Sequence, residues 1–235
     1  MSKIQLVVFD IAGTTVRDNG QVADAFIKAF READIAIPED EVKKVMGFRK
    51  MDAVRLLLDK FAPGSPDALA KSIHDRFIRN MIVFYENDPH LAPQPNAEEV
   101  FIRLHEKGIK IALNTGFTRA ITETILLRLY WDKGTGNWDN GADLIDRVIC
   151  SDEVPFGRPH PDMINSLMAA LDIPSAENVL KVGDTEVDVE EGRNAHCGIV
   201  VSVTTGAYTR QQLEQYQPDY IIDDLQELIS IIEKE

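Results

Sequence analysis

Residues 3–18 read KIQLVVFDIAGTTVRD, and the order of residue types in this stretch decides the fold. Six mostly apolar residues, Ile4 to Phe9, run directly into Asp10, after which the chain breaks at Ala12-Gly13-Thr14-Thr15. A short continuous apolar run rich in β-branched residues and bounded by turn residues is the pattern of a strand buried on both faces. Such a strand belongs to a parallel sheet covered by helices, and sites in open sheets of this kind sit beyond the carboxyl ends of the strands. A carboxylate placed at that end is therefore a candidate functional group.

The rest of the chain repeats the pattern. Apolar runs predict strands over Ile109–Leu113, Arg147–Cys150, Val179–Val182 and Ile199–Val203, with a weaker one at Tyr220–Ile222. Helical periodicity fills the intervals at Ala97–Lys107, Arg119–Leu129, Pro161–Leu171, Val187–Ala195 and Leu225–Glu233. The expected fold is α/β, a Rossmann-like doubly wound parallel sheet. One interval breaks the alternation. From Gln21 to Tyr85 the apolar residues recur only at helical spacing (Ala23, Phe26, Ile27, Phe30; Val54, Leu57, Leu58, Phe61; Ile73, Phe77, Met81, Phe84). This predicts an inserted α-helical cap domain over 18–91, with 1–17 and 92–235 forming the core and the proline-bearing stretch Asn87–Pro95 as the return linker. Residues 131–143, WDKGTGNWDNGAD, read as a loop with room for a short hairpin.

Composition narrows the function classes. At 235 residues and 44% hydrophobic, the chain supports a core domain with a smaller companion. No apolar run reaches the ~18 residues of a membrane span. The net charge of −14 argues against nucleic acid and against an anionic membrane surface, while leaving room for a small anionic substrate held by local cations and amides. Two cysteines without CxxC spacing, and no signal-peptide pattern at the N-terminus, point to a reduced, cytoplasmic setting. Monomer and homodimer are both open.

Polar motifs recur at the predicted strand ends: Asp10 with Thr14 and Thr15; Asn114-Thr115-Gly116; Gly157-Arg158-Pro159-His160-Pro161; and Gly183-Asp184-Thr185-Glu186-Val187-Asp188. Their chemistry is coherent. A strand-end carboxylate can attack phosphorus and form an acyl phosphate. Two anions repel, so a Mg²⁺ held between Asp10 and Asp184 would be needed to neutralise charge and polarise phosphoryl oxygens. Thr115 offers a hydroxyl, Gly116 an amide at a helix start, and Arg158 a fixed cation.

In this order and combination the motifs resemble those of the haloacid dehalogenase superfamily of aspartate-nucleophile hydrolases, over essentially the whole chain. The resemblance implies that Asp10 is the nucleophile and binds Mg²⁺. It also implies that the Ala12 carbonyl, Asp184 and Asp188 complete or support the metal shell, and that Thr115 and Arg158 hold the phosphoryl group, with Gly13, Thr14 and Gly116 around it. Most phosphatases of that superfamily carry a second aspartate two residues after the nucleophile, where general acid–base help is worth ~10²–10⁴ in rate. Here the position is Ala12.

The stretch DIAGTTV is similar instead to the phosphonatase (phosphonoacetaldehyde hydrolase) branch, in which a cap lysine forms a Schiff base with the substrate aldehyde and the leaving group is an enamine. The segment MGFRKMDA, residues 46–53, is similar to that branch's lysine motif: Met46, Gly47 and Lys50 match, and Ala53 stands where the branch has a histidine. Arg49, adjacent to Lys50, is expected to lower the amine's pKa by like charge and, with Met46, to line the substrate site. The resemblance thus implies a Mg²⁺-dependent hydrolase of a small phosphonate or phosphorylated metabolite acting through an aspartyl-phosphate, of phosphonatase type. A phosphomonoesterase of the phosphoglycolate phosphatase type stands as the alternative favoured by Ala53. A catalytically silent phosphate-binding protein is a third reading.

Overall fold

The computed structural model describes residues 4–131 and 144–234. All but Trp131 of the stretch read as a loop lies outside the described residues. Six parallel strands form one sheet: β1 (Leu6–Phe9), β2 (Lys110–Thr115), β3 (Arg147–Cys150), β4 (Val179–Gly183), β5 (Ile199–Val203) and β6 (Tyr220–Ile222). Their spatial order is β3-β2-β1-β4-β5-β6, the doubly wound arrangement the alternation predicts. β1 is central, with Phe9 paired to Leu113 on one side and Val182 on the other. That register brings the ends of β1, β2 and β4 to one edge within two residues of each other, so Asp10, Thr115 and Asp184 gather there.

The two faces are covered separately. Val7, Phe9, Ile111, Leu113, Leu180 and Val182 share one apolar cluster, while Leu6, Val8, Ala112, Val179 and Val200 share the other. Alternate strand residues thus serve opposite layers, as the pleat requires. The covering helices are numbered with the inserted ones in chain order: α5 (Ala97–Glu106), α6 (Arg119–Leu129), α7 (Asp162–Ala170), α8 (Glu186–Asn194), α9 (Arg210–Glu214) and α10 (Glu227–Lys234).

Between β1 and α5 lie only helices: α1 (Gln21–Arg31), α2 (Glu39–Lys43), α3 (Lys50–Phe61) and α4 (Asp67–Asn87). The apolar faces read from the periodicity meet one another. Phe26 of α1 stacks on Phe77 of α4 with ring centroids 4.3 Å apart, and Val54, Leu57 and Leu58 of α3 are buried in the same cluster. The two connections to the sheet run side by side: Arg17 N–H donates to Ala92 O (3.1 Å) and Gln94 N–H to Thr15 O (2.8 Å).

A single arginine pins the end of α4 to the other unit. Arg128 of α6 donates to the carbonyl oxygens of Tyr85 (2.8 Å), Glu86 and Asp88 (2.9 Å). These are carbonyls at a helix C-terminus, which lack intrahelical partners and favour a cation. Arg128→Ala is expected to cost about 1–3 kcal/mol. It should also raise amide hydrogen exchange selectively over 84–90. Uniform exchange across α4 would show that the arginine is not a hinge pin.

Candidate active site

Asp10 takes the first position past β1, where its N–H still continues the ladder to Val182 O (2.9 Å) and its side chain is free to face the strand ends. It is only 5% exposed. The turn that follows is held by Thr15, whose hydroxyl donates to Asp10 O (2.9 Å), and by Gly13, which adopts φ +91°. Glycine is required at that position twice over, since a Cβ there would sit 2.7 Å from Asp184 Oδ2. Thr14 donates its hydroxyl to Asp184 Oδ1 (3.0 Å), and Ala207 N–H donates to Asp184 Oδ2 (2.7 Å). Asp184 is thereby fixed from two loops beside Asp10.

Arg158 enters from the loop before α7 and is 1% exposed. Its Nη1 donates to Asp10 Oδ1 (2.6 Å) and lies 3.0 Å from Asp188 Oδ1, its Nε donates to Glu191 Oε2 (2.9 Å), and its Nη2 donates to the Asn114 backbone oxygen (2.8 Å) and Oδ1 (2.6 Å). The planar fork is used completely, a geometry lysine cannot reproduce.

A small cavity of about 20 Å³ is closed by Asp10, Ala12, Val22, Met46, Gly47, Lys50, Thr115, Gly116, Phe117, Asp184 and Thr185. This is room for about one water molecule. The structure therefore brings Asp10, Ala12, Met46, Lys50, Thr115, Gly116 and Asp184 onto one space, from both units of the chain. Lys50 opens α3 and is 3% exposed, with Nζ 5.1 Å from the Phe117 ring centroid and 5.7 Å from that of Phe26. Gly116 admits the inserted unit closely, because a Cβ on it would strike the Phe48 carbonyl at 2.3 Å.

The charges are strongly perturbed. Burial pushes the Lys50 ammonium down to about 8; attraction to Asp10 opposes this and repulsion from Arg158 adds to it. Burial raises the Asp10 carboxyl against the pull of Arg158, and burial with repulsion from Asp10 and Asp188 raises Asp184 well above the usual carboxylate range. Burial also works on Asp188, but Arg158 and Lys181 outweigh it and hold that carboxyl low.

The depressed Lys50 carries a stability consequence. Its folded value of about 8 lies below the ordinary 10.5, so the unfolded chain binds the extra proton between those values. Stability must then rise with pH from about 8 to 10.5, and the ammonium destabilises the fold below that window. Lys50→Met is expected to stabilise the protein at pH 7 by about 3 kcal/mol, with the gain gone by about pH 10.5. Paired denaturant melts at pH 7 and 10.5 check it.

Two expected site residues are placed differently. Arg49 does not reach the cavity. It neighbours Lys50 but points outward at the first turn of α3, donating Nη1 to Pro155 O (3.0 Å) and lining an outer cleft with Phe48, Phe156 and His160. Lys50's low pKa therefore comes from burial and Arg158, not from Arg49. Asp188 faces cations. Its Oδ1 lies 3.0 Å from both Arg158 Nη1 and Lys181 Nζ, and its Oδ2 accepts from the Thr185 hydroxyl (2.5 Å), which suits a supporting carboxylate better than a metal ligand.

Three further residues surround the site, of which the strand-end motifs include only Asn114, as the neighbour of Thr115. Asn114, Lys181 and Glu191 are completely buried beneath Arg158. The one hint for Lys181 is a charge inside Val179-Leu180-Lys181-Val182, a strand otherwise wholly apolar. The loop after β5 closes the site from a fifth strand end: Thr205 donates its hydroxyl to Gly13 O (2.8 Å), and a Cβ on Gly206 would lie 2.0 Å from Asp184 Oδ2.

A buried aspartate after the first strand, a buried arginine, an acidic fourth strand end and a set of helices packed over them make a recognisable set. Residues 4–196 match the haloacid dehalogenase-like hydrolases. The chain belongs to that family. It is a hydrolase of the haloacid dehalogenase-like class. A phosphonoacetaldehyde hydrolase of Bacillus cereus is 31% identical over 227 residues, covering 90% of this chain and 81% of the relative. A phosphonoacetaldehyde hydrolase-like protein of Oleispira antarctica superposes with TM-score 0.84 at 22% identity, over 99% of this chain and 92% of that one. A predicted phosphoglycolate phosphatase of Haemophilus somnus superposes with TM-score 0.76 at 21% identity, over 98% and 99%. At such identities the two solved structures speak to the fold.

Proposed function

We propose that the protein is a Mg²⁺-dependent hydrolase that cleaves the C–P bond of a small phosphonate aldehyde through an aspartyl-phosphate on Asp10. One observation carries this reading: Lys50, 3% exposed, lines the same small cavity as Asp10, and its amine is held near 8. Apart from the groups suited to hold phosphoryl oxygens and metal, the walls are Ala12, Val22, Met46, Gly47 and Phe117, with Thr185, whose hydroxyl already donates to Asp188. The organic part of a substrate would therefore meet apolar surface and one amine. That suits a short aldehyde, and it leaves a polyhydroxylated or nucleotide group without partners.

The chemistry balances on these residues. The neutral Lys50 amine adds to the aldehyde carbon, the carbonyl oxygen departs as water, and the imine nitrogen takes a proton from solvent, giving an iminium. An Asp10 carboxylate oxygen attacks phosphorus, the C–P bond breaks, and its electron pair passes into the iminium to form an enamine. Water protonates the enamine carbon and releases the aldehyde, and a second water cleaves the aspartyl-phosphate to inorganic phosphate. The iminium accepts the electron pair, so no acid is needed at position 12, in keeping with Ala12. Thr115 and the Gly116 amide line the cavity where they can hold phosphoryl oxygens, and Arg158, outside its lining and bound to Asp10 Oδ1, adds its charge from behind that carboxylate. The cavity is too small for a phosphoryl group as it stands, so the helical unit must swing away to admit substrate.

The residues fit a hard divalent cation. Asp10 and Asp184 follow neighbouring strands with their acidity suppressed by burial, and glycines at 13 and 206 let two loops pack closely against Asp184 Oδ2. Among the described residues no third carboxylate, histidine or cysteine converges there, so backbone carbonyl and water would complete the shell. Mg²⁺ bound there would neutralise the two carboxylates and polarise phosphorus.

Ala53 favours a second reading. It is wholly buried among apolar side chains and supplies no proton where the phosphonatase branch has histidine. A phosphomonoesterase would not need one. The deciding assay is phosphate release with Mg²⁺ from phosphonoacetaldehyde against small phosphate esters, phosphoglycolate included. Release from esters alone would overturn the C–P reading.

A further inference from the structure

Beneath Arg158 lies a second cation that the proposed chemistry does not touch. Lys181 is wholly buried on β4, and its Nζ lies 2.8 Å from Asn114 Oδ1, 3.0 Å from Asp188 Oδ1 and 3.4 Å from Glu191 Oε2. Arg158 engages the same three oxygens, at 2.6, 3.0 and 2.9 Å. Asn114 ties the set together by donating Nδ2 to both Glu191 oxygens, at 2.8 and 2.9 Å. Two cations and two carboxylates thus form a neutral buried block, and Asp10 touches it only through Arg158 Nη1.

The balance has an electrostatic consequence. Taken alone, Arg158 would face Asp188 and Glu191 with one positive charge against two negative ones, and its attraction for anything beyond would be cancelled and reversed. We propose that Lys181 is a positioning residue for the phosphoryl site: it neutralises one of the two buried carboxylates, so that the charge of Arg158 remains available to Asp10 and, across Asp10, to an anion bound in the pocket. This rests on the reading of the Asp10 pocket as a phosphoryl site. A pair of charges that merely held β4 to α8 would need no such sharing of acceptors with Arg158.

The proposal predicts effects of opposite sign on anion and cation binding, which loss of packing does not produce. Lys181→Met leaves one uncompensated negative charge beneath the site. It should weaken binding of orthovanadate, a phosphate mimic, by roughly tenfold or more and tighten Mg²⁺ severalfold. Glu191→Gln should do the reverse. The double variant K181M/E191Q restores the balance and should return both affinities to within about threefold of the parent. Lys181→Arg should behave like the parent.

Calorimetric titrations of the full-length protein, with vanadate in the presence of Mg²⁺ and with Mg²⁺ alone, read these values without turnover. Parallel weakening of both ligands in Lys181→Met and Glu191→Gln, or unchanged vanadate affinity in Lys181→Met, would overturn the role of Lys181. A parent protein that binds no vanadate would overturn the phosphoryl site itself and the inference with it. Should Lys181→Met fail to fold, Glu191→Gln and the double variant carry the same test.

Discussion

Asp10→Asn is expected to abolish phosphate release, with a loss of roughly 10⁴–10⁶-fold, while leaving the fold intact. The amide is nearly the size of the carboxylate but cannot attack phosphorus or form an acyl phosphate. The fold should survive because the buried Asp10 carboxylate is itself disfavoured, its pKa raised chiefly by desolvation. Its partner Arg158 keeps Glu191, Asp188 and Asn114 when Asp10 is neutralised. The midpoint of thermal unfolding should therefore move by no more than about 3 °C. Asp10→Glu sharpens the case. It retains the charge but displaces it by a methylene, and should be nearly as inactive, because reacting atoms must meet at near-contact distance. A variant of either kind keeping a tenth of the parent's rate would exclude Asp10 as the attacking group.

Much of this arrangement can be read in the sequence, for an identifiable reason. Each strand of a doubly wound sheet is an apolar run that ends in a turn, so the position of a polar residue along the chain also gives its position in space. Asp10, Thr115 and Asp184 were legible because the strand ends converge. Lys50 was legible from its neighbours Met46 and Gly47, and not from periodicity. The buried block under the site was not legible, because nothing in the sequence joins Glu191 and Lys181 to Asn114 and Arg158 until α8 is laid across β4 and β5. Arg49 and Lys50 show the opposite limit. Adjacent residues at a helix start point about 100° apart. Proximity in sequence therefore placed Arg49 in a site that only Lys50 enters. Asp188 follows the same logic: a carboxylate one turn into α8 is aimed by the helix at Arg158 and Lys181, not at the strand ends.

Lys50 separates the two chemistries most sharply. If it forms an imine, Lys50→Ala should lower phosphonoacetaldehyde cleavage by roughly 10³-fold or more, since covalent activation is lost outright. Hydrolysis of any phosphate ester the protein accepts should change far less. Lys50→Arg is the more informative variant. It keeps a cation near Phe26 and Phe117 but cannot condense with an aldehyde, so it should be as inactive on the phosphonate as alanine if the imine matters, and partly active if only charge matters. The pH dependence carries an independent sign. Only the neutral amine attacks, and burial sets its pKa at about 8, so phosphonate turnover should climb roughly tenfold per pH unit below 8 and level off above it. A lysine left at its ordinary 10.5 would keep climbing past pH 9. Borohydride added during turnover should inactivate the parent and leave a reduced aldehyde adduct on the Lys50 peptide, detectable by mass. Inactivation absent in the parent, together with a phosphonate rate indifferent to Lys50→Arg, would leave Lys50 as a buried cation for ester substrates. The 3 kcal/mol that its burial costs would then be set against charge stabilisation alone.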